Sequence, residues 1–167
     1  MSIYGYCRIS TAKQSIDRQI CNIRVEYPTA HIVQEAYTGT SIFRPEWLKL
    51  YRILRAGDVV VFDSVSRMSR NAEEGFALYE DLYHKGIRLV FLKEHHIDTE
   101  TYKKALSGSI AMTGTNVDFI LKGINEYLMV LAKEQIKLAF EQSEKEVADL
   151  HQRTREGLLT ARLNGKQ

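Results

Sequence analysis

Cysteine and proline are scarce in this chain of 167 residues, with two of each. Cys7 and Cys21 match no metal-ligand spacing, and a single pair of thiols cannot build the disulfide framework of a small secreted domain. A reducing cytoplasm is therefore the expected setting. Long apolar runs are also missing. The longest, Val59 to Phe62 and Tyr127 to Ala132, fall far short of the ~20 residues that a membrane-spanning helix needs. The opening Met-Ser-Ile-Tyr-Gly-Tyr has neither the basic start nor the apolar centre of a signal peptide. Internal repeats and low-complexity stretches are absent too. What is present is 44% hydrophobic and 26% charged, which excludes a disordered chain and suits one domain with or without an appendage.

Neither sign of charge dominates, at a net +2, until the chain is divided. Residues 1–70 carry ten Lys and Arg against six Asp and Glu, whereas residues 71–142 carry eight against eleven. Eight of the twelve arginines fall in the first seventy residues. Arginine suits bidentate phosphate contacts, so this half is the one to face phosphate, unless it is only an arginine-rich solvated surface.

The order of elements follows from periodicity and punctuation. Ile3 to Cys7 reads as a strand and Thr11 to Val25 as a helix with Ile16, Ile20 and Ile23 on one face. Ala30 to Ala36 alternates as a strand, followed by the turn residues Thr38 to Ser41. Pro45 opens a helix carrying Leu48, Tyr51 and Leu54, which Gly57 ends. Asp58 to Asp63 is an almost wholly apolar strand of the doubly covered kind. Asn71 and Glu74 resemble a capping box for a helix to Lys85, with Gly86 as its C′ residue, and Ile87 to Leu92 is a fourth strand. Alternating strands and helices predict an α/β fold, a mostly parallel sheet of four or five strands flanked by helices. Beyond residue 98 only helical patterning remains. Thr99 to about Ala111 reads as a short helix, and Ile120, Ile124, Tyr127, Leu128, Leu131 and Leu138 form a stripe on a long one. A helix from Val117 to Leu163 would be about 70 Å long, so its second half must project, meet another subunit or lie on a large ligand. The expected division is an α/β domain over 1–115 and a long helix over 116–167.

Ligands collect at the carboxyl ends of parallel strands. Arg8 and Ser10 sit at the end of the first strand, two residues apart and just before a helix whose backbone N–H groups would welcome an anion. Ser64-Val65-Ser66-Arg67-Met68-Ser69-Arg70-Asn71 follows the strongest strand, and Arg44 follows the second. If the first and third strands are neighbours, Arg67 and Arg70 lie near Ser10. A hydroxyl among guanidinium groups is an arrangement for phosphoryl chemistry, although Ser10-Thr11 before a helix would also serve as a plain N-cap. His95-His96 lacks a third ligand at sensible spacing, so no metal is expected.

These residues resemble the serine site-specific recombinases, the resolvases and DNA invertases. Tyr6, Arg8, Ser10, Thr11 and Gln14 match that family's Tyr-x-Arg-Val/Ala-Ser-Ser/Thr-x-x-Gln, with Ile9 a conservative departure. Gln19 is similar to its second glutamine, Arg44 to the arginine opening its second helix, and Gly57-Asp58 to its Gly-Asp run. Ser66-Arg67-Met68-Ser69-Arg70 keeps both arginines of the family's Asp-Arg-Leu-x-Arg but has Ser66 in place of the aspartate. Glu146 and Arg153-Thr154-Arg155-Glu156-Gly157 resemble the Glu and Arg-Thr-x-x-Gly of its long dimerisation helix.

The resemblance implies that Ser10 attacks a DNA phosphodiester, with Arg8, Arg67 and Arg70 as further catalytic residues. Gln14, Gln19, Arg44, Asp58 and Ser66 would support them, and Glu146, Arg153 and Arg155 would contact DNA. It implies double-stranded DNA as partner, a homodimer assembling to a tetramer, no cofactor, no membrane and a cytoplasmic, nucleoid-associated location. A separate C-terminal DNA-binding domain is expected beyond this chain. The Ser66 departure keeps open a catalytically impaired relative that acts only in assembly or regulation. A phosphohydrolase of another family ranks last, because the chain lacks a P-loop, a metal-binding carboxylate set and a glycine-rich phosphate cradle.

Overall fold

The computed structural model describes residues 1–9, 16–36, 44–69, 71–107 and 110–165. Along these, β1 (Ile3–Arg8), α1 (Asp17–Glu26), β2 (His31–Glu35), α2 (Pro45–Ile53) and β3 (Val59–Phe62) follow in turn. Next come the one-turn helix α3 (Val65–Met68), α4 (Ala72–His84), β4 (Arg88–Phe91), a 3-10 turn at His95–Ile97, α5 (Thr99–Ser107) and α6 (Asp118–Leu163). The strands form one parallel sheet in the order β2-β1-β3-β4, with Tyr6 level with Val33 on one side and Phe62 on the other. Four strands are therefore present among the described residues.

Strand alternation divides the core in two. Cys7, Val59, Val61 and Val90 turn to one face and pack with Ile23 of α1. Tyr6, Val60, Phe62, Leu89 and Phe91 turn to the other, against Trp47 and Leu50 of α2, Tyr79 and Leu82 of α4, and Phe140 of α6. The chirality of the connections explains this split. From β1 the chain steps outward to β2 through α1, then returns across β1 to β3 through α2. With right-handed crossovers, that reversal puts the two helices on opposite faces.

Several elements differ from their expected form. The stripe on α2 is rotated, since Trp47 and Leu50 are buried, Tyr51 and Leu54 half-buried and Leu48 exposed. The indole has more area to bury and meets the rings of Tyr6 and Phe62 at 5.2 and 6.0 Å. The stretch after β3, expected as a connecting loop, contains α3. Asp58, expected to support the catalytic residues, lies at the amino end of β3, on the opposite side of the sheet from Arg8. Its carboxylate accepts the backbone N–H groups of Ser2 and Arg55, each at 2.9 Å, and so ties the start of the chain to the turn before β3. The expected helix start at Thr11 and the turn at Thr38 to Ser41 lie outside the described residues.

The 46-residue α6 is joined to the sheet domain by its middle. Ile136, Ala139 and Phe140 belong to the larger core, so the segment assigned to a separate helix also completes the interior of the α/β domain. Phe140 lies over Gly75, where a Cβ would come within 2.5 Å of the ring. Glu144 accepts the N–H of Ala72 at 3.0 Å, and Lys133 pairs with Glu80 at 3.6 Å. On either side of this anchor the helix is largely uncovered, and Ile120, Tyr127, Leu150 and Leu158 are exposed. No helix among the described residues is long and apolar enough to cross a membrane.

Gly75→Ala is expected to lower the urea midpoint. The overpacking cost of about 1–3 kcal/mol outweighs the gain of about 1 kcal/mol from alanine's helix propensity. Asp58→Asn tests the other end of the sheet. The N–H of Ser2, then that of Arg55, hold the Asp58 carboxyl below the usual aspartate range despite an opposing desolvation. A lowered folded-state value contributes stability that is present above the unfolded value and lost as pH falls through the folded one. The deficit of Asp58→Asn in chemical denaturation should be full at neutral pH, at about 1–2 kcal/mol, and shrink below about pH 4.

Candidate active site

The reversal of strand order leaves a crevice at the carboxyl ends of β1 and β3, where open α/β sheets hold their ligands. Arg8, the last residue of β1, lies on one side and α3 on the other. The Arg8 Nη2 donates to the Ser66 carbonyl at 2.5 Å, and Arg67 Nη1 donates back to the Arg8 carbonyl at 3.0 Å. Gln19 of α1 completes the arrangement. Its Oε1 accepts the Arg8 N–H at 3.1 Å and its Nε2 donates to the Arg8 carbonyl at 2.8 Å. A buried amide thus satisfies both backbone groups where the ladder ends, and holds the strand's last residue in place.

Arg44 reaches the same short helix from a third direction. Glu35, the final residue of β2, is buried and accepts the Tyr6 hydroxyl at 3.2 Å, the Trp47 N–H at 2.9 Å and the Glu46 N–H at 3.4 Å. That carboxylate satisfies the first turn of α2, a favourable position for negative charge. It sets the direction of the helix, and Arg44, one residue ahead of it, donates from Nη1 to the Met68 carbonyl at 2.5 Å. Burial, and then the charge of Glu35, raise the Tyr6 hydroxyl above the usual tyrosine range, so it stays protonated as a donor.

Arg8, Arg44 and Arg67 are all half-buried and meet around α3: Arg8 from β1 and Arg44 from the start of α2 donate to its carbonyls, and Arg67 reaches from it to β1. Such a group can neutralise an anion at the strand ends, because partly desolvated guanidinium groups interact with charge more strongly than exposed ones. Ser10, Gln14 and Arg70 lie outside the described residues. Ser66 turns its hydroxyl to Ser64, with the two Oγ atoms 2.7 Å apart. Glu146, Arg153 and Arg155 are exposed on α6, and the two arginines lie about two and a half turns or more beyond the anchoring Glu144.

Two carboxylates here escaped sequence reasoning, Glu35 and Glu94, and Asp63 stands beside them. Each sits at or just after the end of a strand, which was the available signal. Asp63, only 2% exposed, accepts from Asn22 Nδ2 at 2.9 Å and pairs with Lys93 at 3.2 Å on the α1 side of the sheet. Glu94 accepts the Val65 N–H at 3.1 Å. Away from the crevice, His95 contacts Asp98 at 2.7 Å and Glu26 at 3.8 Å, and its pKa is raised, chiefly by the Asp98 hydrogen bond. Among the described residues no three His, Cys, Asp or Glu side chains are grouped to hold a metal ion.

The chain is similar to known proteins along most of its length. The family model for the resolvase N-terminal domain matches residues 3–136. A resolvase of Clostridium perfringens (strain 13 / Type A) is 28% identical over 166 residues, which cover 98% of this chain and 74% of that protein. The transposon Tn21 resolvase of Escherichia coli is 31% identical over 91 residues, 54% of this chain and 47% of that one. The chain thus spans about three-quarters of one relative and about half of the other. A crystal structure of a resolvase family site-specific recombinase from Streptococcus pneumoniae aligns with 96% of this chain and 97% of its own. Its TM-score of 0.47 and identity of 18% make that likeness too loose to bear on the site.

Cys7 provides a test of the packing behind the crevice. Burial, and then the charge of Asp63, push its thiol up to about 12, against a smaller opposing effect of Arg67. Cys21 is exposed. Iodoacetamide at about pH 8 should therefore modify Cys21 and spare Cys7 in the folded protein, since thiolate is the reactive form. Intact mass spectrometry should read one adduct before denaturation and two after.

Proposed function

The chain belongs to the resolvase family, and from that premise we propose that it is the catalytic domain of a site-specific DNA recombinase. Ser10 is the nucleophile. Its Oγ forms a bond to the phosphorus of a DNA phosphodiester as the bond to the 3′ oxygen breaks. The serine hydroxyl gives up its proton and the leaving 3′ oxygen takes one up, so that the products are a 5′-phosphoseryl link and a 3′-hydroxyl. Attack by the 3′-hydroxyl of an exchanged strand reverses the step, so the phosphoester energy is kept and no nucleotide is consumed.

A serine hydroxyl is a weak nucleophile at neutral pH, and phosphoryl transfer depends mainly on position and on neutralising charge over the non-bridging oxygens. The observation that supports this reading is the grouping of Arg8, Arg44 and Arg67 around α3, beside the end of β1 and two residues before Ser10 in the sequence. Arg70 joins them as the fourth guanidinium, and Gln14 acts beside Ser10. Double-stranded DNA is the substrate. Glu146, beside the anchor of α6, and Arg153 and Arg155 on its free half meet it, and the uncovered apolar positions of α6 pair two chains, which assemble as tetramers on DNA.

A second reading, a relative that assembles on DNA without cutting it, is favoured by Ser66. A hydroxyl there cannot accept a proton at neutral pH as the family's aspartate can, and the nearby Asp63 is already bonded to Asn22 and Lys93.

The two readings separate on a covalent adduct. Fused to a sequence-specific DNA-binding domain, the protein should form a detergent-resistant protein–DNA species on a duplex bearing two inverted copies of that domain's site. Ser10→Ala should form none. Arg67→Ala should slow formation by about 10²–10³, the usual cost of one lost transition-state donor. A folded, DNA-bound wild type that never yields the adduct would reject the catalytic reading in favour of the second.

A further inference from the structure

Helix α3 is a single turn, far too short to persist on its own propensity. Its order comes from other elements: Val65 and Met68 are buried in the larger core, and both ends of the turn are hydrogen-bonded from outside it. At the carboxyl end, the Ser66 and Met68 carbonyls accept from Arg8 and Arg44. At the amino end, the N-cap residue Ser64 makes no capping bond with its side chain, because its hydroxyl is joined to that of Ser66. The N–H of Val65 is bonded instead to Glu94 Oε2, a residue 29 positions away in the connection after β4.

We propose that Glu94 is a positioning residue of the candidate active site, whose carboxylate fixes the first turn of α3 and thereby aims Arg67 and the Ser66 carbonyl that holds Arg8. The consequence for activity rests on the recombinase reading; the hold on α3 does not.

The surroundings of Glu94 argue against a role in bulk stability. Burial raises its pKa above the usual glutamate value, and the facing charges of Asp63 and Glu146 act in the same direction. The Val65 N–H and Lys93 oppose them without reversing the shift. A carboxyl raised in the folded state contributes stability that is present at low pH and lost as pH rises through that value. The ionised form therefore adds less to folding than the protonated one, and what the side chain supplies is an acceptor at the start of α3.

Two measurements test this. In the ¹⁵N-labelled 167-residue protein, the Val65 amide should titrate with a midpoint above the ordinary glutamate range, and Glu94→Gln should abolish that titration. A Val65 amide that does not move, or moves equally in Glu94→Gln, overturns the inference. In the adduct assay, Glu94→Ala should slow covalent-complex formation about tenfold, the effect of one hydrogen bond, with the DNA concentration for half-maximal rate unchanged. Glu94→Gln keeps a neutral acceptor and should stay within about twofold of wild type. A wild-type rate in Glu94→Ala, or a Glu94→Gln as slow as Glu94→Ala, overturns it equally. Should Glu94→Ala fail to fold, the glutamine variant and the amide titration still decide. Should the wild type form no adduct, the recombinase reading fails alone, and the titration decides whether Glu94 holds α3.

Discussion

The reciprocal bonding of Arg8 and α3 is the constraint on which the rest of the site depends. One guanidinium reaches forward to the Ser66 carbonyl while that of Arg67 reaches back to the Arg8 carbonyl. The pair exists only because β1 and β3 lie side by side and parallel, so that both chains emerge from the same edge of the sheet. A slip of one residue in that register would turn Tyr6 and Phe62 to the other face and remove both bonds together. Gln19 guards the register by closing the backbone of Arg8 from the α1 side.

Around that pair, carboxylates hold cations and helix ends in place. Glu35 satisfies the start of α2 and so directs Arg44. Asp63 ties Asn22 of α1 to Lys93 after β4. Glu144 bonds the first N–H of α4. The cationic crevice is thus framed by acids that make specific bonds to backbone or amide groups, which keeps them from collapsing onto the guanidiniums.

The docking of α6 connects this frame to the rest of the long helix. Phe140 enters where Gly75 leaves no side chain, and it also meets the Phe91 ring of β4 at 6.4 Å. Burying that ring contributes about 1.5–3 kcal/mol. It sits one turn from Glu144, so the apolar anchor and the polar cap of α4 act at neighbouring points of α6. Any displacement of the helix axis must disturb both, and α4 follows directly on α3. A load applied to the exposed half of α6 therefore has a short mechanical route to the crevice.

Much of this was legible from residues alone. Periodicity and punctuation gave the four strands in order, the long helix to Leu163, and the starts of α2 at Pro45 and of α4 after Asn71, whose Oδ1 accepts the Glu74 N–H. Strand-end arginines pointed to Arg8, Arg44 and Arg67 because parallel sheets place ligands at carboxyl ends. Such features are local: they depend on side-chain spacing along one element. The sequence could not show that α2 would roll to bury Trp47, that Asp58 would serve the opposite edge of the sheet, or that Ile136 and Phe140 would complete the α/β core. Nor did it single out Glu35 or Glu94, whose partners lie on other elements. A lone glutamate after a strand has no periodic signature. Its meaning arises only when the fold brings an N–H from 29 residues away to its carboxylate, and that encounter is decided by the packing of the whole sheet.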